Sequence, residues 1–328
     1  MEFYIERYKN KERLDFECEV ITPMFISGAD TNTVELRSAS IKGALRFWWR
    51  ALYGREFSSI EKMKEAEGKL FGDAEKKSKI RLYVDISKPF SISNDNLVNG
   101  RTFRVHGHDL SIFDYLAFGI CEYNSNLHRN VYKRKHIKPN SKFIIHFDFN
   151  NINNNSEQIL KALSCINSYG GLGAKSRNGF GCISIKPLNS NISLPQITNF
   201  SGERKDFTAL NNDCKPFPFQ RQNRWEEALS EIGLAYRTAR LSIEPRHSYQ
   251  NRPLLAKPLI VRNEHISINE RHSKPYFLHV SKLANNQYQG SILYIPYNYY
   301  QNDKLEEYNN VCNKVNQELE RLRKQGGQ

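Results

Sequence analysis

The chain has 328 residues, 39% hydrophobic and 25% charged, which excludes a disordered chain and leaves room for about two domains of roughly 100–200 residues each. No apolar run approaches the roughly 18 residues of a membrane helix. The start, Met1–Arg7, lacks the apolar core of a secretory signal, and six scattered cysteines without a CxxC pair fit a reducing cytoplasm rather than a zinc ribbon or disulfide scaffold. Forty-eight Lys and Arg against 35 Asp and Glu give +13, the coarse footprint of a nucleic-acid binder.

Leu14 to Val20 alternates with period two and predicts a half-buried strand. Ser40 to Tyr53 predicts a helix, with Ser40 as N-cap and Gly54 just past its end. Arg81 to Ile86 reads as a strand, Asp109 to Cys121 as a helix and Phe143 to Phe149 as a strand. An Asn-rich loop at 150–155 precedes an amphipathic helix, Glu157 to Tyr169. Gly170 to Gly181 is a glycine-rich loop, and Cys182 to Ile185 a short strand. The order up to about residue 190 is βαββαβ, the ferredoxin-like arrangement. Residues 188–218 are rich in Pro, Asn and Ser and read as a connection. Trp225 to Arg240 and Lys304 to Arg323 predict helices. Pro258 to Val261, Tyr276 to Val280 and Ser291 to Ile295 predict strands. The expected organisation is a first domain over 1–190, a linker over 191–220 and a second, less regular α+β domain over 221–328.

Positive charge is concentrated in three segments. Between Ser38 and Gly54 no acid accompanies Lys42, Arg46 and Arg50. Between Glu122 and Asp148 none accompanies Arg129, Lys133, Arg134, Lys135, Lys138 and Lys142. From Ile232 to Asn263 only Glu244 opposes Arg237, Arg240, Arg246, Arg252, Lys257 and Arg262. On the first helix, at about 100° per residue, Lys42, Arg46 and Arg50 form one stripe, roughly opposite Ile41, Leu45, Trp48 and Leu52. Trp48 therefore belongs to the core. Like charges one turn apart repel, so an unrelieved row points to a phosphate backbone, unless an acid from elsewhere in the fold relieves it.

The loop Gly170–Gly181 holds five glycines in twelve residues, which permit left-handed backbone and close approach to a ligand. A phosphate-binding P-loop would need glycines where Ala174 and Tyr169 stand. A dinucleotide-binding turn would follow a strand rather than a helix. The next strand offers Cys182 and Ser184 where an RNA-recognition sheet would carry stacking aromatics. Lys175 and Arg177 among the glycines favour a loop that grips an RNA backbone; the alternative is a plain flexible connection.

Thr22–Asp30, Glu35-Leu36-Arg37 and Ser40–Arg50, followed by Leu70-Phe71-Gly72 and the glycine loop, resemble the first subunit of the Cmr complex, the type III-B CRISPR effector. That subunit belongs to the RAMP superfamily. Arg271–Pro275 stands where the family carries a basic-small-proline motif before a strand. The resemblance implies two ferredoxin-like domains in an antiviral-defence subunit that binds RNA and does not catalyse. It implies a place near the 3′ part of the guide RNA, beside the sixth subunit and the backbone filament subunit, helping to position target RNA. Lys42, Arg46, Arg50, Lys175, Arg177 and Asn178 carry over as RNA contacts, with Arg37 and the loop glycines Gly171 and Gly173. No catalytic residue, cofactor, metal or membrane partner is implied.

The rival enzyme reading is a guide-processing RAMP endoribonuclease with a histidine general base. His106 and His108 precede Asp109, a weak metal or base signal, and His128, His136 and His146 lie in or beside the basic stretch. A further rival is a DNA-binding or scaffold protein whose charge attracts any phosphate.

Overall fold

The computed structural model describes residues 11–105, 107–150, 155–245, 248–257 and 271–325. The residues His106, Arg246 and Arg262, the expected strand Pro258–Val261 and the middle of the Asn-rich loop lie outside the described residues.

The first half is built on strands β1 (Lys11–Val20), β2 (Ile80–Asp85), β9 (Lys142–Asn150) and β10 (Ile183–Pro187). They form one antiparallel sheet in the order β10-β1-β9-β2. Helix α1 (Ser38–Tyr53) follows β1, and α4 (Asn155–Tyr169) joins β9 to β10. Strand order and helix placement are those of the ferredoxin-like fold. Alternation along β1 sends Leu14, Phe16, Cys18 and Val20 inward, against Phe143, Ile145 and Phe147 of β9 and Leu45, Trp48 and Trp49 of α1.

Two elements of this half depart from expectation. Helix α1 starts at Ser38 on an extended Arg37 that makes no side-chain cap, and Gly54 keeps a right-handed φ of −56° and runs into a 3₁₀ turn. Gly54 is there for space: a Cβ would come within 2.8 Å of Met63 and Phe207. A second helix, α2 (Ile60–Phe71), capped by the Ser59 side chain, packs beside α1.

Residues 86–141 are inserted between β2 and β9. They hold three short antiparallel pairs, Ile92–Ser93 (β3) with His136–Ile137 (β8), Thr102–Val105 (β4) with His108–Ser111 (β5), and Cys121–Asn124 (β6) with Arg129–Tyr132 (β7). The helix expected over Asp109–Cys121 is reduced to α3, Ile112–Leu116. Its start is taken up by the β4–β5 pairing, and Gly119 turns left-handed at φ +90° before β6.

The second half contains β11 (Lys215–Gln222), α5 (Trp225–Leu241), α6 (Arg252–Leu255), β12 (Tyr276–Lys282), β13 (Tyr288–Tyr294) and α7 (Leu305–Gln325). Its sheet runs β11-β13-β12, the order of the first three strands of a second ferredoxin-like unit, with α5 and α7 in the two helix positions. Strand β11 begins inside the segment read as a connection. Pro216 and Pro218 alternate with the core residues Phe217 and Phe219, and the strand lies at the sheet edge, where proline is tolerated. The insertion packs on this half: Ile112 and Leu116 of α3 sit where a side chain on Gly233 of α5 would be, and α3, α5 and α7 share one core.

Candidate nucleic-acid interface

The glycine loop is wedged between the two halves and is bonded along its length. Leu172 N–H donates to Gly181 O at 2.8 Å, Ala174 N–H to Phe25 O at 2.7 Å, Gly181 N–H to Pro23 O at 2.9 Å, and Leu278 N–H of β12 to Arg177 O at 3.1 Å. The Thr22 hydroxyl donates to Gly179 O at 2.8 Å and accepts from Cys182 N–H at 3.0 Å. Gly173 turns at φ +85°, where a Cβ would collide with the Phe25 carbonyl, and a Cβ on Gly171 would lie 2.8 Å from Phe180 O. These glycines let the protein approach itself. The loop is a rigid knot rather than a flexible connection, and it leaves Lys175, Ser176 and Arg177 at its tip.

A groove runs between this loop and α1. One part, about 370 Å³, is lined by Ser40 and Ala44 of α1, by Gly171, Gly173 and Ser176 of the loop, and by Arg134 of the insertion. The adjoining part, about 160 Å³, shares Ala44, Gly171 and Ser176 and adds Phe47, Arg177 and Phe277.

The cations around the loop tip come from four segments. Arg177 lies over the rings of Phe277 at 4.6 Å and Phe47 at 5.2 Å and donates to Lys274 O at 3.3 Å. Lys274 sits 4.5 Å from the Tyr236 ring centre. Arg240 donates to the Tyr115 hydroxyl at 3.2 Å. Burial lowers the pKa of Arg177. Lys274 is lowered well below the ordinary lysine range, first by burial, then by the charges of Arg177, Arg240 and Lys175. Lys175, at φ +61°, is lowered mainly by burial, with Arg134 adding repulsion. Among the described residues, none of these cations forms an ion pair with a carboxylate. Partly buried charge without a counter-ion is costly, and an anion bound at the loop tip recovers that cost.

The expected row on α1 is arranged differently. Arg46 and Arg50 both reach Glu67 of α2, at 3.4 and 3.2 Å, and the Glu67 side chain is only 5% exposed. Arg46 also donates to Gly72 O and lies over the Phe71 ring, and Lys42 donates to Phe71 O at 3.2 Å. Burial, then Arg46, lowers the Lys42 pKa. The relief that α1 lacks within itself is thus supplied by α2, and the Leu70-Phe71-Gly72 motif is its receiver. This stripe faces α2, while Ser40, Ala44 and Phe47 face the groove. Arg37, at the head of α1, pairs with Glu35 at 3.8 Å. Asn178 is committed internally, its amide donating to Leu116 O at 2.6 Å.

The structure therefore gathers Gly171, Gly173 and Arg177 at one groove with Arg134 of the insertion, sets Lys175 beside it at the loop tip, and leaves Lys42, Arg46 and Arg50 on another face. Lys274 and Arg240 come from distant segments to lie behind Arg177. The one available signal was partial: Arg134 and Arg240 fall in acid-poor segments, and Lys274 in the basic-small-proline motif.

Other surfaces suit RNA less well. The open face of the first sheet is laced with acids: Asp15 lies between Arg13 at 2.9 Å and His146 at 2.6 Å, and Glu17 and Glu19 pair with Lys142 and Lys282. A cavity of about 600 Å³ at the end of that sheet is lined by Glu17 beside Lys142 and Lys88. The histidines fall at separate places, except for one pair. His146 stacks on Tyr83 at 4.6 Å, while His108 and His128, exposed on two hairpins, line one cavity of about 500 Å³ with Asp109, Asp114 and Arg129. His136 is buried against Phe25, and burial, then Lys138, pushes its pKa down to about 4, too weak a base for proton abstraction near neutrality. Among the described residues no group of three or more His, Cys, Asp or Glu could hold a metal, and no helix is long and apolar enough to cross a membrane.

The strand orders and helix placements define a protein built on the ferredoxin-like arrangement, and the comparisons give its family. The RAMP superfamily model matches residues 17–184, just over half of the chain, and the chain belongs to that superfamily. It is 44% identical over 72 residues to the "CRISPR system Cmr subunit Cmr1-2" of Pyrococcus furiosus, covering 22% of this chain and 38% of the relative. It is 29% identical over 184 residues to Cmr1-1 of the same organism, covering 54% of this chain and 49% of the relative. The matched segments thus span at most about half the length of these curated relatives. The crystal structure of apo Cmr1 from Pyrococcus furiosus superposes with a TM-score of 0.54 at 16% identity, over 93% of this chain and 96% of that one. A chain of the type III-B Cmr-beta complex bound to cognate target RNA superposes with a TM-score of 0.51 at 13% identity, over 94% of this chain and 100% of that one. At these identities the two structures establish a shared fold.

Proposed function

We propose that this protein is the Cmr1-type subunit of a type III-B CRISPR effector complex, and that it binds RNA through the groove between α1 and the glycine loop without cleaving it. The observation that carries the reading is the set of partly buried cations at and behind the loop tip, Lys175, Arg177 and Lys274, with no carboxylate pair among the described residues. The likeness to proteins named as Cmr subunits supports the choice of complex. In that setting the groove holds the 3′ part of the guide RNA, close to the sixth and backbone filament subunits, and helps to position target RNA in the cytoplasm. Gly171 and Gly173 shape its wall, and Arg134 extends it. Arg37, Arg46 and Arg50 keep part of their charge exposed and act as outer contacts at most.

Short single-stranded RNA titrated against Lys175→Ala/Lys274→Ala tests the site. Removing two mutually repelling cations leaves the melting temperature equal or higher and weakens RNA binding about tenfold or more. Unchanged affinity sinks the groove. Matched DNA binding equally well favours a general phosphate binder, since only RNA offers a 2′-hydroxyl. Tagged purification from source cells tests the complex: repeat-derived short RNAs and a fixed set of RAMP subunits are expected.

A further inference from the structure

Phe118 is 73% exposed, yet the corner that carries it is clamped on all sides. Ala117 N–H donates to Phe113 O at 2.8 Å and Ile120 N–H to Ala117 O at 2.9 Å, and Lys133 N–H donates to Ile120 O at 3.0 Å. Ala117 and Ile120, on either side, are buried at 0% and 4%. The Asn178 amide ties Leu116 O to the glycine loop. An aromatic ring is thus carried out into solvent on an ordered backbone, so no loop has to fold to present it. Its surroundings are cationic. The Lys175 ammonium lies 3.5 Å from where a side chain on Gly119 would begin, and Arg134 is close enough to repel it. The nearby acids are occupied: Asp114 accepts from Asn130 at 2.9 Å and Tyr132 at 3.1 Å, and Glu122 pairs with Lys133 at 2.6 Å. A flat apolar face beside a cation matches a nucleotide, which offers a base to stack and a phosphate to neutralise.

We propose that Phe118 is a stacking platform for one unpaired base of the RNA whose phosphate Lys175 holds, a role that rests on the RNA reading of the groove. Single-stranded RNA satisfies the geometry, because a base in a duplex has no free face to offer. The insertion then does more than complete the second core: it supplies a contact beside the groove that senses the base.

The test compares wild type, Phe118→Ala, Phe118→Trp and Lys175→Ala in binding a short single-stranded RNA and the same backbone made abasic. Phe118→Ala is expected to lose about 5- to 100-fold on the base-bearing RNA and almost nothing on the abasic one. Phe118→Trp retains the affinity, and Lys175→Ala weakens both RNAs. Because the ring is exposed, Phe118→Ala melts with wild type. Full affinity of Phe118→Ala beside a weakened Lys175→Ala overturns the stack and leaves the groove standing. Indifference to both substitutions overturns the groove reading itself. Equal losses on both RNAs, or intact RNA binding with lost capture of other RAMP subunits, also overturn the stack; the latter reassigns Phe118 to a protein contact.

Discussion

At the scale of single residues, the same side chain type serves two purposes within one domain. Arg46 and Arg50 share a buried carboxylate, Glu67, and so bind one helix to another. Arg177 has two aromatic rings and a carbonyl but, among the described residues, no carboxylate pair, so its charge remains available to a ligand. Titratable groups divide in the same way. His136 lies in the β3–β8 pair with its Nδ1 unpartnered, and burial, followed by Lys138, holds its pKa near 4, while Asp95 pulls weakly the other way. The unfolded chain has the ordinary value of about 6.5. Between these values the unfolded chain binds a proton that the folded one does not, so stability falls as pH drops through the window and is level above it. The loss from pH 8 to pH 5 is about 2 kcal/mol for this one group. Urea denaturation at the two pH values measures it: the difference should be smaller by about that amount in His136→Gln. An equal difference in both proteins would show that His136 protonates freely in the folded state.

Among the elements, α1 shows most clearly what a sequence pattern can and cannot carry. Its apolar spacing placed Ile41, Leu45 and Trp48 in the core, where they are buried. The same wheel showed the Lys42–Arg46–Arg50 stripe, but not what faces it. Helix α2 escaped notice because two of its buried positions are Glu67 and Gly68, which blur the apolar period. The β3 to β8 strands are only two to four residues long, too short for alternation to register, and β11 was masked by its prolines. The loop cations were legible because Lys and Arg stood among glycines. Lys274 and Arg240 were not assigned, since only the tertiary fold brings them to Arg177. Phe118 sat inside an expected helix and gave no signal.

The α1–α2 contact yields its own prediction. Replacing Glu67 by Ala removes the shared partner of two arginines. Both guanidinium groups are about a third exposed and can turn to water, so the cost is about 1–3 kcal/mol rather than the full penalty of a stranded buried charge. Chemical denaturation should show that loss, while RNA affinity stays level or rises as the two cations are released. A fall in RNA affinity for Arg46→Ala as large as that for Lys175→Ala, at unchanged stability, would restore the α1 stripe as a principal RNA surface.

Over the whole molecule, a charge of +13 does not itself place a ligand, because it says nothing of which of the 48 Lys and Arg stand in ion pairs. Lys133 is held by Glu122, Lys142 by Glu17 and Lys282 by Glu19, the last linking the two halves. The open sheet face thus sets acids beside its cations, while Lys175, Arg177 and Lys274, where the halves and the insertion meet, have no carboxylate pair among the described residues. Ionic strength separates these populations. Each phosphate neutralised in a single strand contributes about 0.7 to the slope of log affinity against log salt. A cation that meets RNA therefore removes about that much when replaced by Ala, and one already paired removes almost nothing. Affinity measured from low to moderate salt should give a shallower slope, by roughly 0.7, for Lys175→Ala, whereas Lys133→Ala should follow wild type. Slopes that fell equally for both variants would mean that RNA senses the total charge of the molecule, and the groove would lose its claim to be the site.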